Sequence, residues 1–422
     1  MNVAQRLEAL VGTTLEMELP VRIRAWDGSE AGPAGPVVVI RSRRALRRLV
    51  WAPGELGLAR AFVAGDLDVD GDLGQGLREV WRRSDGNSSA GRRLTARKLA
   101  AGLRLGTRLG ALGLPPRPPR TEAQLSGRRH TRRRDRAAIA HHYDLSNDFY
   151  RLLLDDHMAY SSAYFTDDQQ TLHEAQTAKL DLICRKLGLA EGMRLLDVGC
   201  GWGSLILFAA QHYGVQATGI TLSASQHKFV TARVAECGLA DRVSVVLQDY
   251  REFAHAPESF DAVASVEMGE HVGEQQYHTY ATMLYQALKP TGRLLLQQMS
   301  RRADAAPGGG AFIESFIAPD MHMRPVAQTL EHLQGAGFEV RDVEAMREHY
   351  VRTVACWIDT FEDRYEEFVA LAGEETARVW RLYLVGGGLA FEQGRMGVDQ
   401  ILAVKPDDEG VAAMPWGRPW SI

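Results

Sequence analysis

The stretch LLDVGCGWGSLILF, residues 195–208, decides the fold of this 422-residue chain. An apolar run reaches Asp197, glycines follow at positions 199, 201 and 203, and a second apolar run begins at residue 204. Glycines at such a point let the backbone approach a ligand closely, and a helix N-terminus beyond them adds free N–H groups. The stretch therefore predicts a strand, a ligand-binding turn and a helix.

The same alternation continues to the end of the chain. Strands are predicted at MRLLDVG, VQATGIT, RVSVVLQD, FDAVASVE and GRLLLQQM, with helical stretches between them, and late strands at GFEVRDVEAM and QILAVKP. Glycine or proline lies in each turn that leads from a helix back to the next strand. This order predicts an α/β fold, a Rossmann-like doubly wound parallel sheet, in a catalytic domain over residues 137–422.

The N-terminal part has a different pattern. Short strands are predicted at VRIRAWDGS and PVVVIRS, and helices at RALRRLVWA and LGQGLREVWRR. We therefore predict a smaller α+β domain over residues 1–90. Residues 91–136, which contain PPRPPR, are interpreted as a basic helix followed by a proline- and arginine-rich linker.

The linker region is strongly basic although the whole chain has a net charge of -4. Residues 91–136 hold 14 basic side chains and two acidic ones. On a helix, Arg93, Arg97, Arg104 and Arg108 share one face. This favours contact with an anionic membrane surface, and a solvated tether is the alternative. The absence of aromatic residues from the tract argues against nucleic acid as a partner.

Cysteine usage and hydropathy bear on metal binding and location. The four cysteines are scattered without a CxxC pair, so neither a disulfide framework nor a metal site is predicted. The first residues lack an apolar signal segment, and no run of 18 uncharged apolar residues occurs. We expect a cytoplasmic protein with at most peripheral membrane association.

Three local features indicate the ligand of the glycine turn. The spacing is GxGxG rather than GxGxxG, Asp197 precedes it, and the second strand ends in GITLSASQ without the acidic residue of a dinucleotide site. Asp249 ends the third strand. These features favour S-adenosylmethionine over a dinucleotide.

Four motifs, in the same order along the chain, resemble those of a known family. The segments HHYDLSNDFYRLLLDDHMAYSSAYF (141–165), LLDVGCGWG, GITLSASQ and VEMGEHVG (266–273) resemble the cyclopropane-fatty-acyl-phospholipid synthase family. Residues 44–73 resemble the lipid-binding N-terminal domain of its longer members. The resemblance implies methyl transfer from S-adenosylmethionine to a cis double bond of a phospholipid acyl chain, with a bound bicarbonate as the base.

Site residues follow from the matched motifs. For the cofactor, the residues are Tyr160, Ser161, Asp197, Gly199, Gly201, Thr221, Leu222, Gln226, Asp249 and Tyr250. For catalysis, they are Glu270, Tyr350, Gln297, Ser162 and His271, where His271 either acts directly or orients its loop. Tyr160 is interpreted as part of a cation-stabilising pocket, with a plain core position as the alternative. Glu267 is interpreted as an ordinary carboxylate at the end of a strand.

The chain departs from the family pattern at the catalytic motifs. Ser162 stands where the family has Cys, Gln297 where it has His, and Met299 where it has Ile. Glutamine cannot become cationic, so either bicarbonate is held more weakly or Glu270 itself takes the proton. This change favours a 10-methylene product, the precursor of 10-methyl acids of the tuberculostearic type. Cyclopropane formation is the alternative.

The methylene product would require a separate reductase, and the resemblance implies a homodimer. Two other functions are alternatives for this chain. A nucleic-acid methyltransferase would show an (N/D/S)PP(Y/F) motif after the fourth strand, where this chain has SVEMGEH. A lipid-binding protein without catalysis would be consistent with Ser162 and Gln297.

Overall fold

The structure is a computed structural model. It describes residues 1–15, 21–85, 106–125, 127, 129–131, 134, 135, 138, 145–253 and 258–420. The predictions made for Arg93, Arg97 and Arg104, and the start of the first family motif at residues 141–144, lie outside these residues.

The helices, in chain order, are α1 (Val3–Leu15), α2 (Arg44–Trp51), α3 (Glu55–Val63), α4 (Leu73–Asp85), α5 (Asn147–Leu153), α6 (Leu172–Leu187), α7 (Ser204–Tyr213), α8 (Ala224–Glu236), α9 (Glu274–Ala287), α10 (Ala311–Phe316), α11 (Val326–Gly335), α12 (Arg347–Asp363), α13 (Tyr365–Ala372) and α14 (Glu374–Glu392). Two short 3-10 turns cover Tyr250–Glu252 and Gly269–His271.

The strands are β1 (Arg22–Arg24), β2 (Glu30–Ala31), β3 (Val37–Ile40), β4 (Leu67–Asp70), β5 (Arg194–Val198), β6 (Gln216–Thr221), β7 (Val243–Leu247), β8 (Phe260–Val266), β9 (Leu288–Arg301), β10 (Glu339–Ala345) and β11 (Met396–Val404). They form two sheets. The smaller has the order β2-β1-β3-β4, and the larger has the order β10-β11-β9-β8-β5-β6-β7.

The chain forms two compact units. The first contains Met1–Ala123, Gly310–Ile317 and Gly373–Leu389, and the second contains Gln124–Gly309, Ala318–Ala372 and Ala390–Ile422. The first unit therefore includes α10 and most of α14, which the contiguous range 1–90 does not contain. The predicted boundaries at residues 90 and 136 stay predictions.

Buried ion pairs explain why the distant helix α14 belongs to the first unit. Arg378 of α14 is buried, donates to the backbone oxygen of Phe62 at 2.7 Å and lies 3.3 Å from a carboxylate oxygen of Asp68. Asp66 is paired in the same unit with Arg44 and Arg48, each at 2.9 Å. The acidic run around β4 therefore pairs with arginines from two helices, α2 and α14.

The larger sheet positions the site. Its strands β9, β8, β5, β6 and β7 are parallel neighbours, which confirms the predicted α/β Rossmann-like fold. The late strands β10 and β11 pair antiparallel, so the sheet is mixed. Leu195, Leu196, Val263 and Leu295 are fully buried on the central strands, because helices cover both faces. In the described part of the chain, no helix has the length and apolar character that crossing a membrane requires.

Candidate active site

A cavity lies at the carboxyl ends of β5, β6 and β8 in the second unit. Ten of the residues predicted from sequence line it, namely Tyr160, Ser161, Asp197, Gly199, Gly201, Thr221, Leu222, Gln226, Tyr250 and His271. Ligands of doubly wound sheets bind at this edge, because the strand ends and helix N-termini meet there. Asp249, Glu270, Gln297, Ser162 and Tyr350 are not among the lining residues.

The glycine turn forms one wall of the cavity with bare backbone. Gly199 and Gly201 have φ angles of 86° and 53°, in the left-handed region that favours glycine. The N–H groups of Gly199 and Cys200 both donate to the backbone oxygen of Ile220 at 3.0 Å, which ties the turn to β6. A Cβ atom added to Gly199 would lie 2.7 Å from Cγ of Met268, so the turn has no space for a side chain there.

Asp197 and Lys179 form a buried charged group beside the turn. Lys179, from α6, is buried and donates to Oγ of Ser161 at 2.9 Å. Oδ1 of Asp197 is buried and has no hydrogen-bond partner among the residues that the structure describes. Burial raises the pKa of Asp197 to about 7, and the nearby Lys179 opposes that shift. Burial lowers the pKa of Lys179 to about 8.

The end of β6 forms a second wall. Oγ1 of Thr221 donates to Oε1 of Gln226 at 2.8 Å, and the backbone N–H of Gln226 donates to Oγ of Ser223 at 3.2 Å, as expected of a serine N-cap of α8. These bonds hold Thr221, Leu222 and Gln226 at the cavity wall.

Asp249 contacts an arginine rather than the cavity. Arg251 donates to both carboxylate oxygens of Asp249, at 2.8 Å and 2.6 Å, and to Asp135 at 2.9 Å. Arg251 and Tyr250 line the cavity, whereas Asp249 positions Arg251. The predicted contact of Asp249 with the cofactor stays a prediction.

The residues of this cavity fit the methionine and adenosyl parts of S-adenosylmethionine. Among the described residues, Oδ1 of Asp197 has no partner and can accept from a ligand donor, and the space above Gly201 is open to 4 Å. The aromatic rings of Tyr160 and Trp202 lie beside it with centroids 6.4 Å apart.

A second group of predicted residues meets at one carboxylate, that of Glu267. Oε1 of Glu267 accepts from the backbone N–H of Ser162 and from Nε2 of Gln297, both at 2.8 Å. Oε2 accepts from the hydroxyl of Tyr350 at 2.7 Å. Glu267 lines the cavity that the glycine turn forms. The structure thus joins Ser162, Gln297 and Tyr350 through a residue interpreted from sequence as an ordinary carboxylate.

Residues 130–401 match the family model described as mycolic acid cyclopropane synthetase. The chain belongs to the mycolic acid cyclopropane synthetase family. It is 37% identical over 408 residues to a probable fatty acid methyltransferase of Pseudomonas putida, covering 95% of this chain and 96% of the relative. It is 36% identical to a probable fatty acid methyltransferase of Mycobacterium tuberculosis, covering 100% and 98%.

Solved structures of the family show the same fold. The cyclopropane synthase MmaA2 from Mycobacterium tuberculosis aligns with a TM-score of 0.61 and 31% identity, over 64% of this chain and 98% of that one. The mycolic acid cyclopropane synthase CmaA1 in complex with SAH and CTAB aligns with a TM-score of 0.61 and 33% identity, over 64% and 98%. The predicted family, fold and S-adenosylmethionine cofactor are confirmed, and the chain is an S-adenosylmethionine-dependent methyltransferase.

Glu270, the carboxylate that the family motif indicated, lies beside Glu267. Its Oε1 accepts from the backbone N–H of Met299, and its Oε2 is buried with no hydrogen-bond partner in the described part of the chain. Burial, followed by repulsion from Glu267, raises the pKa of Glu270 to about 8. At neutral pH the protonated form of Glu270 is therefore favoured. Its catalytic role stays a prediction.

His271 lines the cavity in an uncharged form. Burial lowers the pKa of His271 to about 4, so the ring is neutral at physiological pH. Direct catalysis by His271 and orientation of its loop both stay predictions.

Sequence reasoning missed Glu267, Lys179 and Arg251 as site residues. Lys179 lies in an ordinary amphipathic helix, and Arg251 in a short loop, so neither has a local signal. Glu267 differs from an ordinary strand-end residue in its backbone, because its φ of 51° is unusual for a residue other than glycine. This conformation is visible in the structure but has no signal in the sequence.

Proposed function

We propose that this methyltransferase transfers the methyl group of S-adenosylmethionine to the cis double bond of oleoyl-type phospholipid chains and leaves a 10-methylene branch. One observation carries the proposal: the glycine turn for the methyl donor and the carboxylate of Glu267 line the same cavity. Methylation of an alkene needs both, since it forms a cation that must then lose a proton. Methylation of an amine forms no carbocation.

Bound S-adenosylmethionine supplies an electrophilic methyl group at a sulfonium sulfur. The chain's own residues then do three things. Asp197 and the glycine turn orient the donor, the surrounding apolar residues exclude water, and the rings of Tyr160 and Trp202 present π faces to developing positive charge. The buried aromatic residues Tyr150 and Trp357 pack against these rings with centroid distances of 4.3 and 5.3 Å, which fixes their orientation.

The cation on the acyl chain can lose its proton in two ways. If the proton leaves the new methyl group while that carbon bonds the cationic carbon, a cyclopropane forms. If a hydride first moves from the methylated carbon to its neighbour, loss of a methyl proton gives the methylene branch. We favour the methylene product because the base site differs from the family pattern at Ser162 and Gln297, and cyclopropane formation is the alternative.

The relatives support a fatty acid substrate, since two named probable fatty acid methyltransferases align over nearly their whole length. Saturation of a methylene branch requires a hydride, so we propose a separate reductase downstream. Cytoplasmic location, a homodimer and the exclusion of nucleic acid stay predictions.

The experiment supplies methyl-labelled S-adenosylmethionine with oleoyl phospholipid vesicles or, in a parallel reaction, an oleoyl thioester. We expect label in the phospholipid acyl chain and a product that gains two hydrogens on mild hydrogenation. Resistance to hydrogenation would establish cyclopropane formation. Label in the thioester alone would refute the phospholipid substrate, and label in neither would refute alkene methylation.

We further propose that an exposed patch of the first unit contacts an anionic membrane surface. Trp51 is 57% exposed and Leu114 86% exposed, and Nε1 of Trp51 donates to the backbone oxygen of Gly113 at 2.9 Å, which brings the two side chains together. Arg43, at the N-cap of the same helix, is also exposed. Exposed apolar side chains beside cations are typical of binding to anionic lipid surfaces.

Changing both apolar residues of this patch to glutamate should weaken membrane binding. Removing a tryptophan and a leucine from the interface costs about 3 kcal/mol, so we expect about a 100-fold loss in affinity for phosphatidylglycerol vesicles. Sedimentation of Trp51→Glu/Leu114→Glu with the vesicles measures it. Leu371→Glu, at a site 45% exposed in the second unit, is the control. Equal loss in the control would contradict a role for the patch.

A further inference from the structure

The carboxylate of Glu267 lies among residues that were expected to serve catalysis together with a bicarbonate. Of those residues, Ser162, Gln297 and Tyr350 all donate to Glu267 at 2.7–2.8 Å. A bicarbonate in contact with these donors would also contact the Glu267 carboxylate, so two anions would share one buried site. The residues present therefore do not fit bicarbonate.

The backbone holds Glu267 in place against its conformational preference. Its φ of 51° lies in the left-handed region, where glycine is favoured and a side chain is strained. Its N–H donates to the backbone oxygen of Gln297 at 2.7 Å, which fixes the strand end. Strain of this kind is typical of functional positions, where the surrounding structure maintains it.

A chain of buried hydrogen bonds sets which atom of Gln297 faces the carboxylate. Lys186, which is buried, donates from Nζ to Oε1 of Gln400 at 2.8 Å. Nε2 of Gln400 then donates to Oε1 of Gln297 at 3.0 Å. An ammonium group can only donate, so each amide in turn must present its NH2 to the next residue. Nε2 of Gln297 is thereby directed at Glu267.

We propose that Glu267, and not bicarbonate, is the base that accepts the proton lost from the methylated acyl chain. This inference rests on the proposed function. In the step, a C–H bond of the transferred methyl group breaks and its electron pair forms the new C–C bond or double bond at the cationic carbon. The proton passes to a carboxylate oxygen of Glu267, which becomes a neutral carboxyl group and later releases the proton to water.

The electrostatics of the site support this assignment. Desolvation raises the pKa of Glu267, and the hydrogen bonds from Ser162, Tyr350 and Gln297 oppose that rise. A raised pKa makes a carboxylate a stronger base. Burial and repulsion from Glu267 raise the pKa of Glu270, so one negative charge in the site is favoured over two.

Two substitutions at position 267 test the proposal. Glu267→Gly removes the carboxylate, leaves space for an anion and relieves the left-handed strain, so folding is preserved. Glu267→Gln keeps the shape but cannot accept the proton. In carbon-dioxide-free buffer, we expect each to lower turnover by about 100- to 10,000-fold while S-adenosylmethionine affinity is kept. Added bicarbonate should restore activity to Glu267→Gly alone.

Direct binding of bicarbonate gives a readout that needs no turnover. By calorimetry, we expect Glu267→Gly to bind bicarbonate and the unaltered enzyme and Glu267→Gln not to bind it. Binding by the unaltered enzyme, or full activity of Glu267→Gln, would overturn the proposal. If the unaltered enzyme methylates no alkene while Glu267→Gly alone binds bicarbonate, the proposed function is refuted and the replacement of bicarbonate by Glu267 is still supported.

Discussion

Gly199→Ala should lower the affinity for S-adenosylmethionine by about 100-fold. The new Cβ would lie 2.7 Å from Cγ and 2.9 Å from Cβ of Met268, atoms that cannot swing away because they lie near the backbone. The left-handed φ of 86° adds conformational strain. The turn relieves this overlap and strain by moving out of its ligand-binding position, and restoring that position on binding costs about 3 kcal/mol. Since about 1.4 kcal/mol corresponds to a tenfold change in affinity, the expected loss is about 100-fold. Calorimetric titration with S-adenosylmethionine measures the loss.

Gly192→Ala is the matched control for this substitution. Gly192 has a similar φ of 81°, but nothing lies within 4 Å of its added Cβ, and it does not line the cavity. We expect it to lose about 1 kcal/mol of folding stability and to keep its cofactor affinity. Unchanged affinity in Gly199→Ala, or an equal loss in both variants, would contradict the assignment of the turn to the cofactor.

Lys179→Met should weaken cofactor binding in a pH-dependent way. The Lys179 ammonium opposes the rise in the pKa of Asp197, which is about 7, so its removal leaves Asp197 protonated at pH 7. Loss of one charge-assisted hydrogen bond to the cofactor costs about 1.5 kcal/mol, which predicts about a tenfold loss in affinity at that pH. Methionine has a similar length and fills the space.

The direction of the pH effect follows from the pKa of Lys179, which burial lowers to about 8. At pH 7, close to the pKa of Asp197, the unaltered enzyme has the ammonium and keeps part of Asp197 ionised, whereas the variant has neither charge, so their affinities differ. Above the pKa of Lys179 both enzymes lack the ammonium and Asp197 has the same charged neighbours in each, so we expect the affinities to converge at pH 9. Lys289→Met, which removes a surface ion pair with Asp261, should change nothing. A pH-independent loss in Lys179→Met would show a packing effect instead.

The central sheet could be predicted because its signals are local. Each strand from β5 to β9 is a short apolar run bounded by glycine, proline or a polar turn, and the glycine turn itself determines what can bind. The antiparallel pairing of β10 and β11 could not be predicted, since the direction of a late strand depends on its connection. The place of α14 depends on Arg378 meeting Asp68, a contact between residues 310 positions apart.

The cofactor half of the site was predictable for the same reason, and the catalytic half was not. Gly199, Gly201, Thr221 and Gln226 sit on consecutive strand ends, so the fold alone brings them together. Glu267 acquires its environment from residues 162, 297 and 350, on three separate segments. Motif matching indicated Glu270, whose catalytic role stays a prediction, and gave no reason to select Glu267 three residues away, because a motif carries position but not the direction of a side chain.

The fate of the transferred methyl group tests the central claim most directly. The enzyme is supplied with oleoyl phospholipid and with S-adenosylmethionine that carries a fully deuterated methyl group. Mass spectrometry of the acyl chain then counts the deuterium atoms that the product keeps. The account predicts that the added carbon keeps two deuterium atoms, since one leaves with the base in either a methylene or a cyclopropane product. An added carbon that keeps all three, or an acyl chain without label, would contradict it.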